Sequence, residues 1–224
     1  RRGGRSVGSE TSPARERAEP GAYPPSLLSE PMRKTALFVD FDNVYLGLRR
    51  IDPHAAERFA PDPGRWLRWF EAGDDAPGER ERRVLVRRCY LNPKSFYSYR
   101  PDFVRAAFKV VDCPPLTGQG KTSTDVYLVM DVLDVLAELP HIDEYVVLSA
   151  DADFTPVLLR LRAHDKQTGV LAVGPAASAY TAAADVVITE ETFIEDALGL
   201  DADRAAAPVR GDAPDGVLDR IANR

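Results

Sequence analysis

The stretch Tyr145-Val146-Val147-Leu148-Ser149-Ala150-Asp151-Ala152-Asp153-Phe154 constrains this chain more than any other. Its four leading apolar residues read as a buried strand. The run from Thr155 to Ala163, with Leu158, Leu159 and Leu161, reads as the helix that follows. Asp151 and Asp153 therefore fall just past the carboxyl end of a strand, where open α/β sheets bind their ligands. One Asp there is accounted for as a helix N-cap. Two acids so close repel one another unless protons or a cation intervene. A hard divalent ion, which prefers oxygen ligands, is the usual remedy.

The rest of the chain repeats the pattern. Thr35–Val39 reads as the first strand and ends in Asp40-Phe41-Asp42-Asn43-Val44, with a helix through Tyr45, Leu46 and Leu48. Further strands are expected at 84–86 (with Cys89 and Tyr90 continuing it), 109–112, 169–173 and 185–188. Helices are expected at 64–72, 101–108, about 124–139, 176–184 and 191–198. Trp66 and Trp69 read as a core stripe rather than a base-stacking pair. Pro93 to Tyr99 reads as an aromatic loop. The helix from Thr124 is apolar almost all round and is expected to be deeply packed. Asp131 within it needs a partner. Strands alternating with helices define an α/β fold with a mainly parallel central sheet covered on both faces.

Composition narrows the function classes. No apolar run approaches the about 20 residues of a membrane span, and no secretory pattern is visible at the start. The two cysteines, Cys89 and Cys113, form neither a disulfide framework nor a zinc spacing. A cytoplasmic setting is expected. The formal net charge of -6 argues against a protein that binds polyanions over its whole surface. The distribution says more: Arg82, Arg83, Arg87, Arg88, Lys94, Arg100, Arg105, Lys109 and Lys121 are opposed only by Asp102 and Asp112, and the chain then turns acidic. Such a pair of segments would hold a phosphate backbone beside a metal pocket, unless the charges are only solvated faces. Within the basic segment, Lys94, Phe96, Tyr97 and Arg100 interleave cations with aromatics. That pattern suits single-stranded nucleic acid, with bases stacked and phosphates paired; the alternative is a hydrophobic clamp under a loop.

Residues 1–33 are rich in Gly, Ser, Pro, Arg and Glu and are expected to be disordered. Met32 is expected to lie near the natural start. Residues 199–224 read as a flexible tail with a short helix possible at Val217–Ile221. The ordered domain is expected over 34–198, with a homodimer possible.

Three regions carry candidate acids: Asp40 and Asp42 with Asn43, then Asp125, then Asp151 and Asp153. In a parallel sheet the Asp40 and Asp151 turns open on one edge, and Asp125 begins a helix that leans over it. Such a cluster would bind Mg2+ or Mn2+, with Lys121 or Ser149 holding a phosphate. Gly120-Lys121-Thr122-Ser123 lacks the glycine of a Walker loop and is not read as one. The three histidines lie outside these motifs.

Three blocks together resemble the NYN domain, a branch of the PIN-like nuclease superfamily, and its LabA-like members in particular. They are Phe38-Val39-Asp40-Phe41-Asp42-Asn43-Val44, then Lys121-Thr122-Ser123-Thr124-Asp125 with Asp131 following, then Val147 to Phe154. The resemblance covers about residues 34–198. It implies a PIN-like three-layer α/β/α sandwich and metal-dependent endonucleolytic cleavage of RNA. Asp40, Asp125, Asp151 and Asp153 would lie at the metal site, and Asn43 would order the first turn. Ala150 stands where that family usually has Gly, and Ala152 where a small polar residue is common. Two rivals remain at this stage. Asp40-Phe41-Asp42 also matches the nucleophile turn of haloacid dehalogenase-like phosphatases, but Lys121 precedes Ser149, the wrong order. A non-catalytic RNA-binding or scaffolding domain would carry the same acids as structural metal ligands or caps.

Overall fold

The computed structural model describes residues 32–75, 80–114 and 123–200. Six strands form one all-parallel sheet in the order β3-β2-β1-β4-β5-β6. They are β1 Arg33–Asp40, β2 Arg82–Leu91, β3 Lys109–Asp112, β4 Glu144–Leu148, β5 Gln167–Ala172 and β6 Val186–Thr189. The chain runs outward from β1 to β3, then crosses back to lay β4 on the other side of β1. The switch point of this α/β sheet thus falls between β1 and β4, with Val39 beside Leu148 in register.

The sheet separates two apolar layers. One holds α1 Phe41–Ile51, α2 Pro53–Phe59, α3 Pro63–Ala72 and α5 Arg100–Arg105, around Phe41, Phe59, Trp66 and Phe103. The other holds α6 Thr124–Glu138, α7 Thr155–Ala163 and α8 Ser178–Ala183, around Leu128, Val132, Phe154 and Tyr180. This is the expected α/β sandwich. β1 and β4 are buried almost throughout because helices cover both faces. Trp66 is buried and stacks on Phe59, with its indole N–H donating to the Phe59 carbonyl at 3.2 Å. Trp66 is core, and half-buried Trp69 packs against the same cluster, so the pair forms the expected core stripe. Cys89 and Cys113 are buried free thiols, and burial pushes the thiol pKa of both upward.

Three helices begin in one way. Asp52-Pro53, Asp62-Pro63 and Asn92-Pro93 each place a capping side chain before a proline in the first turn. The cap oxygens accept from His54, Arg65 and Lys94 backbone N–H groups at 2.9, 3.2 and 3.0 Å. Proline costs nothing there, because its missing N–H would have no partner within the helix. This explains two departures from the sequence reading: α2 was not anticipated, and Pro93–Tyr99 is no loop but α4 (Pro93–Phe96) running into a 3-10 turn, Tyr97–Tyr99.

A third departure concerns α6. Deep packing was expected, yet only Thr124, Leu128, Val132 and Val135 are buried along it. A helix in the outer layer meets the sheet along one stripe, and its remaining apolar side chains stay outside. Asp131 has the partner its setting demands: Tyr90 Oη donates to it at 2.6 Å, and Arg88 lies 2.5 Å from its other oxygen.

The amino ends of the strands are held by buried charge. Glu144 accepts from Arg82 Nε at 2.8 Å and Nη2 at 3.1 Å, and from Thr35 Oγ1 at 2.7 Å. Arg82 also bonds Asp75 and the Phe70 carbonyl. Removing one member of a buried ion network leaves the others uncompensated. Arg82→Ala is therefore expected to destabilise the fold by about 3–5 kcal/mol, read from the midpoint of a urea unfolding curve.

Candidate metal centre

Each acidic turn is built locally before it is assembled. Asp40 ends β1 and caps α1, one carboxylate oxygen accepting from Asn43 N–H at 3.3 Å. Asp151 follows β4 and caps the 3-10 turn Ala152–Phe154, accepting from Asp153 N–H at 2.9 Å. The capping reading of the Asp151 turn is thus correct, and Asp40 caps in the same way. A cap engages one oxygen of a carboxylate and leaves the other for a further partner.

The two turns are stitched together across the switch point. Ser149 Oγ donates to Asp40 Oδ2 at 3.2 Å, joining residues 109 apart in sequence. Asn43 Oδ1 accepts from Ala150 N–H at 3.0 Å, and Asp151 N–H donates back to Ser149 Oγ at 3.2 Å. The asparagine thus spans both turns. Positive φ among non-glycine described residues is confined to Ala107 and Asp165, so position 150 does not require glycine.

Asp125 enters from the first turn of α6. Carboxylate oxygens of Asp125, Asp151 and Asp153 lie within 4.8 Å of one another, the first two half-buried and the third exposed. Two oxygens bound to one ion at about 2.1–2.4 Å stand no more than about 4.8 Å apart. The spacing and the all-oxygen donor set therefore fit a hard divalent cation. Asp40 stands beside this trio rather than within it. It is buried, and its carboxyl pKa is raised to about 7, first by burial and further by the nearby Asp125 and Asp42, against the lowering effect of its hydrogen bonds to Asn43 and Ser149.

The supporting residues divide. Ser149, expected to hold a phosphate, is instead buried, its hydroxyl donating to Asp40 and accepting from the Asp151 N–H. Asp42 faces the neighbouring strand, where it accepts from Asn92 N–H at 3.1 Å and so ties α4 to the β1 turn. Asp131 belongs to the Tyr90–Arg88 cluster described above. Lys121 lies outside the described residues. Tyr180 was missed by sequence reasoning. It is buried, and its hydroxyl donates to the Ser149 carbonyl at 2.9 Å. Nothing in an alanine-rich helix, 31 residues downstream, signals that contact.

The aromatic segment is mixed. Phe96 packs on Phe41 and Tyr45, with ring centroids 5.1 and 5.2 Å apart, so its ring forms the clamp that was the alternative reading. Tyr97 is 67% exposed, and Lys94 is exposed beside it. Arg100 meets Asp112 at 3.3 Å. Arg82, Arg87, Arg88 and Arg105 likewise pair with acids within the fold. Much of the basic segment is thereby spent on structure.

A parallel sheet whose switch point carries converging carboxylates defines a nuclease-like α/β protein of the PIN-like kind. The NYN domain family model matches residues 34–195, and the chain belongs to that family, whose domains are generally ribonucleases. A Vibrio parahaemolyticus protein of unknown function is similar in fold, with a TM-score of 0.55 and 21% identity over 72% of this chain and 95% of that one. No curated protein matches. Among the described residues no helix is long and apolar enough to cross a membrane.

The raised Asp40 pKa has a direct consequence for stability. The folded chain holds this proton up to about pH 7, whereas the unfolded chain releases it near about pH 3.9. Stability from this group is full below the lower value, falls as pH rises between the two, and is flat above the upper. Asp40→Asn, which keeps an oxygen for the cap, is expected to stabilise the metal-free protein at pH 8 by up to about 4 kcal/mol. The gain should vanish towards pH 4. Thermal melts of both proteins across that range check it.

Proposed function

We propose that this chain is a divalent-metal-dependent ribonuclease that hydrolyses RNA phosphodiesters endonucleolytically. The observation that carries the reading is the convergence of Asp125, Asp151 and Asp153 within 4.8 Å, with buried Asp40 alongside. Asp125, Asp151 and Asp153 would hold Mg2+ or Mn2+, with the Asp40 carboxylate beside them completing the acidic cup. When bound, the ion supplies a Lewis acid that activates water and offsets charge on the scissile phosphate.

The chain's own residues do the rest. Asp125, from the first turn of α6, and Asp151 and Asp153, from the turn after β4, would orient the ion. Asn43 and Ser149 fix the two turns by the bonds already described, so the donor oxygens are set before substrate arrives. Tyr180 braces the Ser149 carbonyl from behind. Asp42, bonded to Asn92, joins the metal turn to α4, which carries Lys94 and leads to Tyr97. In this reading Tyr97 stacks a base, while Lys94 and Arg100 face phosphates. Phe96 supports them from the core, and Lys121 remains a candidate phosphate ligand. The LabA-like affinity of the motifs and a cytoplasmic setting belong to the same proposal.

Asp151→Asn is expected to reduce turnover of a labelled RNA by at least about a hundredfold without changing the circular dichroism spectrum. Excess chelator should do the same to the parent protein, and added Mn2+ should reverse it. Undiminished cleavage in the variant or in chelator refutes the mechanism. RNA binding with no metal-dependent product would leave a non-catalytic RNA-binding domain in its place.

A further inference from the structure

The outward side of α6 is unusual for a surface helix. Val126 and Met130 are 62% and 57% exposed, and Tyr127 and Leu133 are exposed beside them. Positions 126, 130 and 133 recur at four and three residues, so they form one stripe along the helix. The stripe runs into a groove of about 500 Å3 between α6 and α7, lined chiefly by Val129, Leu133, Leu136, Pro156 and Val157. Leu159, on α7, is also exposed. A continuous apolar face of this kind marks an interaction surface.

Its charges say what fits. Exposed Asp134 and Glu138 lie on α6, which carries four acids and no base. Arg160 and His164, on and just after α7, line the opposite bank of the groove. Among the described residues none of these four forms an ion pair with another residue. Nucleic acid is disfavoured by the acids and by the apolar floor. An acidic bank on one helix beside a cation, Arg160, on its neighbour is self-complementary. Under a twofold axis, α6 of one copy meets α7 of the other, and each acid–base contact forms twice.

We propose that this face is a homodimer interface, with α6 of one copy seated across the α6/α7 groove of a second. Met130 and Leu133 fill the groove, and Asp134 and Glu138 meet Arg160 and His164 of the second copy. The contact begins at Val126, one residue beyond the acid that α6 contributes to the metal centre.

Sedimentation velocity on the full chain at micromolar concentrations tests this. The parent protein should sediment as a dimer. Met130→Glu should give a monomer with an unchanged circular dichroism spectrum. Arg160→Glu should weaken the dimer by about tenfold or more in Kd, and adding Asp134→Arg should restore it, because the exchanged charges meet again. If Met130→Glu fails to fold, that charge exchange decides alone. A monomeric parent, a dimer indifferent to Met130→Glu, or a charge exchange that restores nothing would each overturn the proposal. So would a monomer whose α6 amides lose hydrogen-exchange protection only when residues 201–224 are deleted, since the chain's own C-terminal segment would then fill the groove.

Discussion

The lateral pairing of β1 with β4 is the contact on which the rest depends. These strands are adjacent in the sheet although, among the described residues, two strands and six α-helices separate them in the chain. Their register sets Val39 beside Leu148, so the residues that follow, Asp40 and Ser149, emerge together at the carboxyl edge. A one-residue slip would turn every side chain of the strand to the opposite face. It would force both apolar layers to repack and would separate Asp40 from Ser149. The two-sided core is therefore what holds the acids in place.

That arrangement opposes itself electrostatically. Asp40 is buried beside further carboxylates, and its raised pKa measures how poorly the fold tolerates its charge. Folding alone would favour fewer acids here. The hydrogen bonds from Ser149, Asn43 and the Asp153 backbone offset part of the repulsion while leaving oxygens of the Asp125, Asp151 and Asp153 cluster within reach of one another. Buried charge at the other end of the sheet is treated differently. There Arg82 sits between Glu144 and Asp75 and Arg33 also bonds Glu144 at 3.2 Å, so two guanidinium groups face the two acids within the protein. One edge is internally balanced; the other is left negative, and a cation is the natural complement.

The aromatic layer connects this edge to the surface. Phe41 lies between Asp40 and Asp42, and its ring contacts Tyr45, Phe59, Phe96, Tyr99 and Phe103. Movement of the first acidic turn is thereby resisted by packing from α1, α2, α4 and α5. The short helical segment that presents Lys94 and Tyr97 rests on the same cluster. A binding surface carried on such packing is more precise than one on a free loop.

The sequence by itself determined the six strands, the layered α/β class, the tryptophan stripe facing the core and the acids at strand ends, because hydrophobic period and strand-end chemistry are local properties. The N-caps before Pro53 and Pro93 were equally local, and their Asp-Pro and Asn-Pro signals were present to be used. Tertiary structure alone decided three matters. It chose which acids share a cup and set Asp40 beside it, it gave Asp131 to Tyr90 and Arg88, and it left one side of α6 exposed. Each turns on which distant surface meets which, and a residue's own neighbours in the chain carry no record of that.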